Sequence, residues 1–299
     1  MNRRSFVKST AMAAPMMGSL SNRENTRSIP YSFKHIYAPH FGMFENSAGK
    51  DLIDQIKFMA DNGFKGLEDN GMLQRPTEIQ NKIGAALSKY NMSMGVFVID
   101  GGDNWKVSLT TGKKEFIDKF VETCKASVEL AKRVNAKWMT AVPGYFERNL
   151  PMDLQTVHVI EAFKRGADIL APHNLVMVME PLSDNADLFL RHADQAYMIC
   201  KAVNSPACKI LYDIYHMQRN DGNLIKTIER CYDEIAYYQI GDNPGRKEPT
   251  SGEINYKNIF KYLYDKGYKG ILGMEHGNSL PGAEGEQTLI KAYQWSDSY

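Results

Sequence analysis

Four polar residues with side-chain oxygen each follow a short apolar run in the second half of the chain: Glu180, Asp213, Gln239 and Glu275. Three carboxylates brought together without a cation would repel one another, which would raise their pKa values and destabilise the fold. Carboxylate and amide oxygens suit hard divalent ions in octahedral geometry. The residue types therefore predict a Mg²⁺ or Mn²⁺ site, and they disfavour zinc because the set contains no His or Cys.

Alternating strand-like and helix-like segments explain how residues so distant in sequence could meet. The strand-like runs are residues 35–41, 66–68, 94–99, 137–142, 175–179, 209–212, 235–238 and 270–274, and the helix-like segments are residues 51–62, 76–90, 113–134, 154–170, 186–203, 224–232 and 256–266. Eight strand-helix units favour a closed (β/α)8 TIM barrel, a single-domain α/β fold, over an open sheet, and no GxGxxG or GxxxxGK motif supports the open form. The C-terminal ends of barrel strands converge on one face, so we expect the four oxygen-bearing side chains to share one mouth.

Five tracts around these residues resemble the hydroxypyruvate isomerase family, within the xylose-isomerase-like barrel superfamily. They read VMEPL at residues 178–182, YDIYHMQ at 212–218, YQIGDNPGRKEP at 238–249, GEINY at 252–256 and GMEH at 273–276. The resemblance implies that the same four residues ligate a metal, that His216 contacts a substrate oxygen, and that Arg246 binds the anionic or polar end of the substrate. The segment HGNS at residues 276–279 departs from the Tyr-Lys-Pro-like segment of the family, which leaves the substrate open.

The chemistry that follows is isomerisation or epimerisation of a small hydroxy-carbonyl compound, hydroxypyruvate-like or a ketose. One of Glu180 and Glu275 removes a proton from carbon to give an enediolate, and the other returns a proton. A divalent cation stabilises the developing negative charge. Three alternatives stay open: a hydride shift, a lyase or hydrolase that acts on a keto-sugar at the same site, and a sugar-binding barrel without catalysis. His40 and Glu68, at the ends of the first two strands, are further candidates for substrate binding.

The composition is that of a soluble globular enzyme with a small-molecule substrate. The chain has 299 residues, of which 43% are hydrophobic and 24% charged, and its formal net charge is +1. This balance indicates no concentrated basic surface, so no nucleic-acid partner is predicted. No apolar run reaches the ~20 residues that a transmembrane helix needs, so no membrane span is predicted. The sequence leaves open whether the chain forms a homo-oligomer.

The N-terminus has the features of an export signal. Residues 2–8 read NRRSFVK, and a weakly apolar stretch rich in Ala and Met follows at residues 9–20. Paired arginines before such a stretch are typical of the bacterial twin-arginine route. We therefore predict that residues 1–30 are a twin-arginine-type signal peptide and linker, that residues 31–299 are the TIM-barrel catalytic domain, and that the enzyme is periplasmic.

Overall fold

The structure, a computed structural model, describes residues 31–299. The strands in this part of the chain are β1 (Ile36–Ala38), β2 (Gly66–Leu67), β3 (Ser93–Met94), β4 (Trp138–Ala141), β5 (Val176–Met179), β6 (Cys208–Asp213), β7 (Ile235–Gln239) and β8 (Ile271–Gly273). The helices are α1 (Glu45–Ala48), α2 (Leu52–Asp61), α3 (Thr77–Lys89), α4 (Lys114–Val134), α5 (Met152–Leu170), α6 (Ala193–Val203), α7 (Ile214–Asn220), α8 (Leu224–Cys231), α9 (Tyr256–Asp265) and α10 (Gly282–Ser296). The predicted signal peptide lies outside the described residues and stays a prediction.

The eight strands form one parallel ring in chain order. Six of them pair in the order β1-β8-β7-β6-β5-β4, and β2 pairs with β3. Single parallel bridges join the two groups, from His40 to Glu68 next to β1 and β2 and from Val98 to Thr140 next to β3 and β4. The ring is therefore closed, and the predicted (β/α)8 barrel is confirmed.

Apolar side chains fill the layer between the strands and the surrounding helices. Helix α4 shows the pattern, because Ile117, Cys124, Val128 and Ala131 recur at helical spacing and are all buried. Burial of such faces supplies the main favourable contribution to the free energy of folding. Among the described residues, no helix is both long and apolar enough to cross a membrane.

Inside the barrel, a glycine directly after β3 and a glycine at the end of β8 make room for larger polar side chains. A Cβ atom at Gly95 would lie 2.4 Å from the hydroxyl oxygen of Tyr237, and a Cβ atom at Gly273 would lie 2.1 Å from a carboxylate oxygen of Glu68. Both distances are far below van der Waals contact in an interior that is close-packed. Glycine at these positions therefore allows Tyr237 and Glu68 to occupy the barrel interior.

The third strand is shorter than the sequence predicts. Residues 94–99 read as one buried strand, but only Ser93–Met94 pairs with β2. Beyond Met94, separate backbone hydrogen bonds continue on both sides. The Gly95 N–H donates to the Leu67 oxygen at 2.7 Å, and the Ile99 N–H donates to the Thr140 oxygen at 2.9 Å. The apolar run reflects burial rather than continuous strand pairing.

One predicted helix is longer than the observed one, and three observed helices have no predicted counterpart. Helix α6 begins at Ala193 and not at residue 186, because residues 188–190 are consecutive buried apolar residues that pack a loop and do not follow a helical period. The Asp221 carboxylate then accepts a hydrogen bond from the Ala193 backbone N–H at 3.0 Å. Helices α1, α7 and α10 have no counterpart in the prediction. Helix α7 follows β6 without a loop that would mark its start.

Candidate active site

The predicted oxygen ligands lie together at the C-terminal ends of adjacent strands. Asp213 and Gln239 end β6 and β7 and pair with each other in the sheet. Glu180 directly follows β5, and Glu275 comes two residues after β8. Four side chains each place one possible ligand atom within 4.8 Å of the other three; they are Glu180, Asp213, His216 and Glu275. The barrel therefore assembles the shared mouth that the sequence predicts.

Two buried oxygen atoms in this group have no hydrogen-bond partner among the described residues. They are Oε1 of Glu180 and Oε1 of Gln239. The side-chain N–H of Gln239 donates to Oε1 of Glu68 at 3.0 Å, which leaves the Gln239 amide oxygen as the unpartnered atom. A buried acceptor without a partner costs about 1–3 kcal/mol, so such atoms normally bind water or an ion. The donor set therefore fits a divalent cation held by oxygens of Glu180, Asp213, Gln239 and Glu275.

His216 is held at both ring nitrogens. Its Nδ1 accepts a hydrogen bond from the backbone N–H of Ser183 at 3.2 Å, and the Ser183 hydroxyl lies 2.8 Å from the same nitrogen. Its Nε2 lies 3.0 Å from Nη2 of Arg246. Burial lowers the pKa of His216, which favours the neutral ring. These contacts fix the ring beside the carboxylates, and its predicted contact with a substrate oxygen stays a prediction.

The guanidinium of Arg246 lies among the carboxylates. Its Nη2 donates to Oδ2 of Asp213 at 2.9 Å and to Oε2 of Glu275 at 2.8 Å. The same nitrogen lies at hydrogen-bond distance, 3.0 Å, from Nε2 of His216. The buried Nε of Arg246 has no partner among the described residues. Arg246 thus neutralises two carboxylates through one nitrogen, a weaker arrangement than a bidentate fork, and its predicted contact with the end of the substrate stays a prediction.

We expect Arg246→Gln to destabilise the metal-free protein, because Asp213 and Glu275 lose their shared counter-charge. Hydrogen bonds to charged groups contribute about 1.5–3 kcal/mol, which corresponds to a Tm lower by roughly 5 °C for a domain of this size. Added Mn²⁺ should recover most of the loss, since a cation then neutralises the carboxylates. Thermal denaturation with and without Mn²⁺ measures both effects.

Arg219→Gln is the matched control for this substitution. Arg219 lies over the same Tyr215 ring as Arg246, at 5.4 Å compared with 5.0 Å from the ring centroid. Among the described residues, however, it forms no ion pair with a carboxylate. An equal change of Tm in the two variants would contradict a specific role for the Arg246 contacts.

Burial also changes the acid-base properties of the two glutamates. Burial, followed by the charges of Glu275 and Asp213, raises the pKa of Glu180 well above its ordinary value. Burial likewise raises the pKa of Glu275, although the Arg246 guanidinium opposes this shift. Both shifts belong to the metal-free protein, and a divalent cation bound by the same carboxylates would favour their charged forms. The crowding of buried carboxylates therefore supports a cation site.

A cavity of about 440 Å³ opens at the carboxylates. Its wall includes Glu180, His216, Arg246 and Glu275. It also includes Asn70, which the sequence analysis missed and which donates to Oε1 of Glu275 at 2.7 Å. Asn70 lies two residues after Glu68, which directly follows β2. Residues that follow the strands of a barrel line its mouth, so the sequence could have identified Asn70.

Glu68 and His40 do not line this cavity. Glu68 is 2% exposed, and its carboxyl contacts the amide of Gln239 inside the barrel. Burial, with the charge of Glu275, raises the pKa of Glu68 well above its ordinary value, so the neutral acid is favoured. The two ring nitrogens of His40 lie 2.8 and 3.1 Å from the backbone oxygens of Phe41 and His276. Both side chains are committed to contacts within the protein, and their predicted part in substrate binding stays a prediction.

Fold and site together define a (β/α)8 enzyme with an acidic centre at the C-terminal ends of its strands. The chain belongs to the xylose isomerase-like TIM barrel family, whose model matches residues 56–299. Hydroxypyruvate isomerase of Escherichia coli (strain K12) is 26% identical over 256 residues, which cover 83% of this chain and 94% of that protein. The 2-oxo-tetronate isomerase of Pectobacterium atrosepticum is 26% identical over 250 residues, which cover 82% of this chain and 92% of that protein. These relatives confirm the resemblance seen in the sequence and indicate an isomerase.

A solved structure supports the fold independently. The crystal structure of an AP endonuclease, family 2, from Brucella melitensis superposes with a TM-score of 0.74 at 24% identity. The match covers 88% of this chain and 98% of that chain. At this identity the likeness concerns the barrel, and activity must be argued from the site.

Proposed function

We propose that the protein is a metal-dependent isomerase or epimerase of a small sugar-like hydroxy-carbonyl compound, acting by proton transfer. The observation that carries the proposal is the placement of Glu180 and Glu275 in the wall of one cavity, beside two buried oxygens that have no partner among the described residues. The names of the two relatives, isomerases of hydroxypyruvate and of 2-oxo-tetronate, support this class of reaction.

Each residue has a defined task in this proposal. Glu180, Asp213, Gln239 and Glu275 would hold the Mg²⁺ or Mn²⁺ ion, which would supply Lewis-acid stabilisation of developing negative charge. One of the two glutamates removes a proton from the carbon next to the carbonyl, and the other delivers a proton. The position of delivery decides whether the product is an isomer or an epimer. His216 contacts a substrate oxygen from the wall of the same cavity.

Asn70 and Glu68 support these groups without touching the reacting atoms. Asn70 donates to one oxygen of Glu275, which restricts the rotation of that carboxylate. Glu68 accepts from the amide of Gln239, which fixes the direction of the amide oxygen. Partners of this kind orient metal ligands, and their loss typically lowers metal affinity by about 10- to 100-fold.

Incorporation of solvent deuterium tests the mechanism. Enzyme loaded with Mn²⁺ is incubated in D₂O with hydroxypyruvate or a ketose, and product and recovered substrate are analysed by mass spectrometry and NMR. We expect deuterium on the carbon next to the carbonyl, because the glutamate that delivers the proton carries deuterium taken from the solvent. A product without deuterium would contradict proton transfer and favour a hydride shift. Fragments of lower mass would instead indicate a lyase or hydrolase.

A further inference from the structure

Two carboxylates of the site each have one oxygen that is committed to contacts within the protein. Oδ1 of Asp213 accepts hydrogen bonds from the backbone N–H groups of Tyr215 and His216 at 2.7 and 3.2 Å. Oε1 of Glu275 accepts a hydrogen bond from the side chain of Asn70 at 2.7 Å. The other oxygen of each carboxylate, Oδ2 of Asp213 and Oε2 of Glu275, is therefore the one best placed to ligate a cation.

A single nitrogen of Arg246 contacts both of these oxygens. Its Nη2 donates to Oδ2 of Asp213 at 2.9 Å and to Oε2 of Glu275 at 2.8 Å. It also lies 3.0 Å from Nε2 of His216, another of the four side chains whose possible ligand atoms cluster. A divalent cation on the same oxygens would be repelled by a guanidinium at this distance. The guanidinium and the cation therefore compete for these two oxygens.

The guanidinium is held loosely, whereas the backbone that carries it is fixed. Among the described residues its hydrogen bonds all pass through Nη2, and the buried Nε has no partner. Its flat face lies 5.0 Å from the centroid of the Tyr215 ring, a contact that does not fix its direction. The Arg246 N–H donates to the Asp242 oxygen at 2.7 Å, and the Arg246 oxygen accepts from the Gly277 N–H at 3.1 Å. Rotation of the side chain can therefore move the guanidinium while the turn stays in place.

Another carboxylate lies next to the guanidinium. Asp184 is in the wall of the same cavity as Arg246, and within residues 31–299 it forms no ion pair with a Lys or Arg. Nε2 of His216 lies 3.0 Å from Nη2 of Arg246 and 3.7 Å from Oδ2 of Asp184, so both groups flank the same ring atom. A guanidinium that leaves Asp213 and Glu275 therefore has a counter-charge within a short movement.

We propose that Arg246 is an internal counter-ion that competes with the divalent cation for Asp213 and Glu275 and moves to Asp184 when the cation binds. The inference rests on the proposed metal-dependent function and specifies how metal loading of that site is regulated. In the metal-free protein, the guanidinium limits the repulsion among buried carboxylates. The same contacts must be broken before the cation can bind, so they lower its affinity and make loading depend on cation concentration.

Calorimetric titration of metal-stripped protein with Mn²⁺ tests the competition. Because Arg246→Gln removes contacts that only the metal-free protein makes, we expect this variant to bind Mn²⁺ about tenfold more tightly than the native chain. Arg219→Gln is the matched control and should bind Mn²⁺ with native affinity. Arg219 lies over the same Tyr215 ring but forms no ion pair with a carboxylate in the part of the chain that the structure describes. Equal or weaker binding by Arg246→Gln would overturn the inference.

A double-variant cycle tests the movement to Asp184. Asp184→Asn should weaken Mn²⁺ binding by about three- to tenfold in the native chain, because the displaced guanidinium loses its counter-charge. In the Arg246→Gln background the same substitution should have a much smaller effect. Asp100→Asn is the control, since Asp100 lines the same wall and its Oδ1 accepts from the Gly102 N–H at 2.6 Å. Its effect should be equal in both backgrounds, and an equal effect of Asp184→Asn in both would overturn the proposed movement.

Crystal structures of the native chain, grown with EDTA and with Mn²⁺, show the side chain directly and do not depend on the stability of a variant. We expect Nη2 of Arg246 on Asp213 and Glu275 without the ion and the guanidinium on Asp184 with it. Identical Arg246 contacts in both crystals would overturn the inference. Equal Mn²⁺ affinity of the native and Arg246→Gln proteins would reject the competition and leave the metal-dependent function standing. If neither protein bound Mn²⁺, both the inference and the metal site of the proposed function would be rejected.

Discussion

Glu180→Gln and Glu275→Gln are each expected to lower turnover by about 10²–10⁴-fold, the contribution typical of general acid-base catalysis. Glutamine keeps an oxygen that can ligate the cation, but it cannot accept a proton at neutral pH. Metal should therefore remain bound, with reduced affinity, while activity is lost. Elemental analysis of the purified variants and steady-state kinetics on the same samples measure the two properties independently.

The two substitutions should differ in stability. Oε1 of Glu275 accepts from Asn70 and Oε2 accepts from Arg246, so the NH₂ group that Glu275→Gln introduces faces a donor in either orientation. Oε1 of Glu180 has no such partner among the described residues. Glu275→Gln should accordingly have the lower Tm of the two, because it loses the free energy of one hydrogen bond to a charged group.

Two further variants delimit the interpretation. Asp213→Ala removes a ligand oxygen, so it should lose metal first and activity as a consequence. Glu284→Gln, at an exposed position in the first turn of α10, should change neither property. Metal-replete Gln variants of Glu180 and Glu275 that turn over at the native rate would eliminate the proposed pair of acid-base groups.

The position of strand ends in a barrel explains why so much of the site could be predicted; we call this the strand-end rule. In a (β/α)8 barrel, the residue that follows each apolar run is placed at one mouth by the fold itself, whatever the loops do. Glu180, Asp213, Gln239 and Glu275 satisfy that rule, and the structure brings them together. Their positions depend on the register of short parallel strands, which the sequence pattern determines well.

The parts of the site that could not be predicted depend on loop conformation. Asp100 and Asp184 reach the cavity from loops, and no periodic pattern specifies where such residues lie. Arg246 adopts a left-handed backbone conformation, with φ of 49°. That conformation belongs to a turn in which the Arg246 N–H donates to the Asp242 backbone oxygen at 2.7 Å. A sequence motif identifies Arg246 as a site residue but does not show that its guanidinium contacts Asp213 and Glu275.

Gly273→Ala is expected to affect both stability and metal binding, although residue 273 touches neither substrate nor metal. The new Cβ atom would lie 2.1 Å from Oε1 of Glu68. Both residues are buried, so the carboxyl must move. Overpacking of a core usually costs about 1–3 kcal/mol. Movement of Glu68 also removes the hydrogen bond that orients Gln239, so Mn²⁺ affinity should fall by about 10- to 100-fold.

A double-variant cycle identifies the cause of that effect. If the clash with Glu68 is responsible, Gly273→Ala should cost much less free energy of unfolding in a Glu68→Ala background than in the native chain, because the short side chain leaves room for the added methyl group. Gly71→Ala is the control, since its Cβ atom would lie no closer than 3.7 Å to another residue. Additive effects of the Gly273 and Glu68 substitutions would refute the clash. Strong coupling would instead show that a glycine in β8 and a carboxyl after β2 together position the amide ligand at the end of β7.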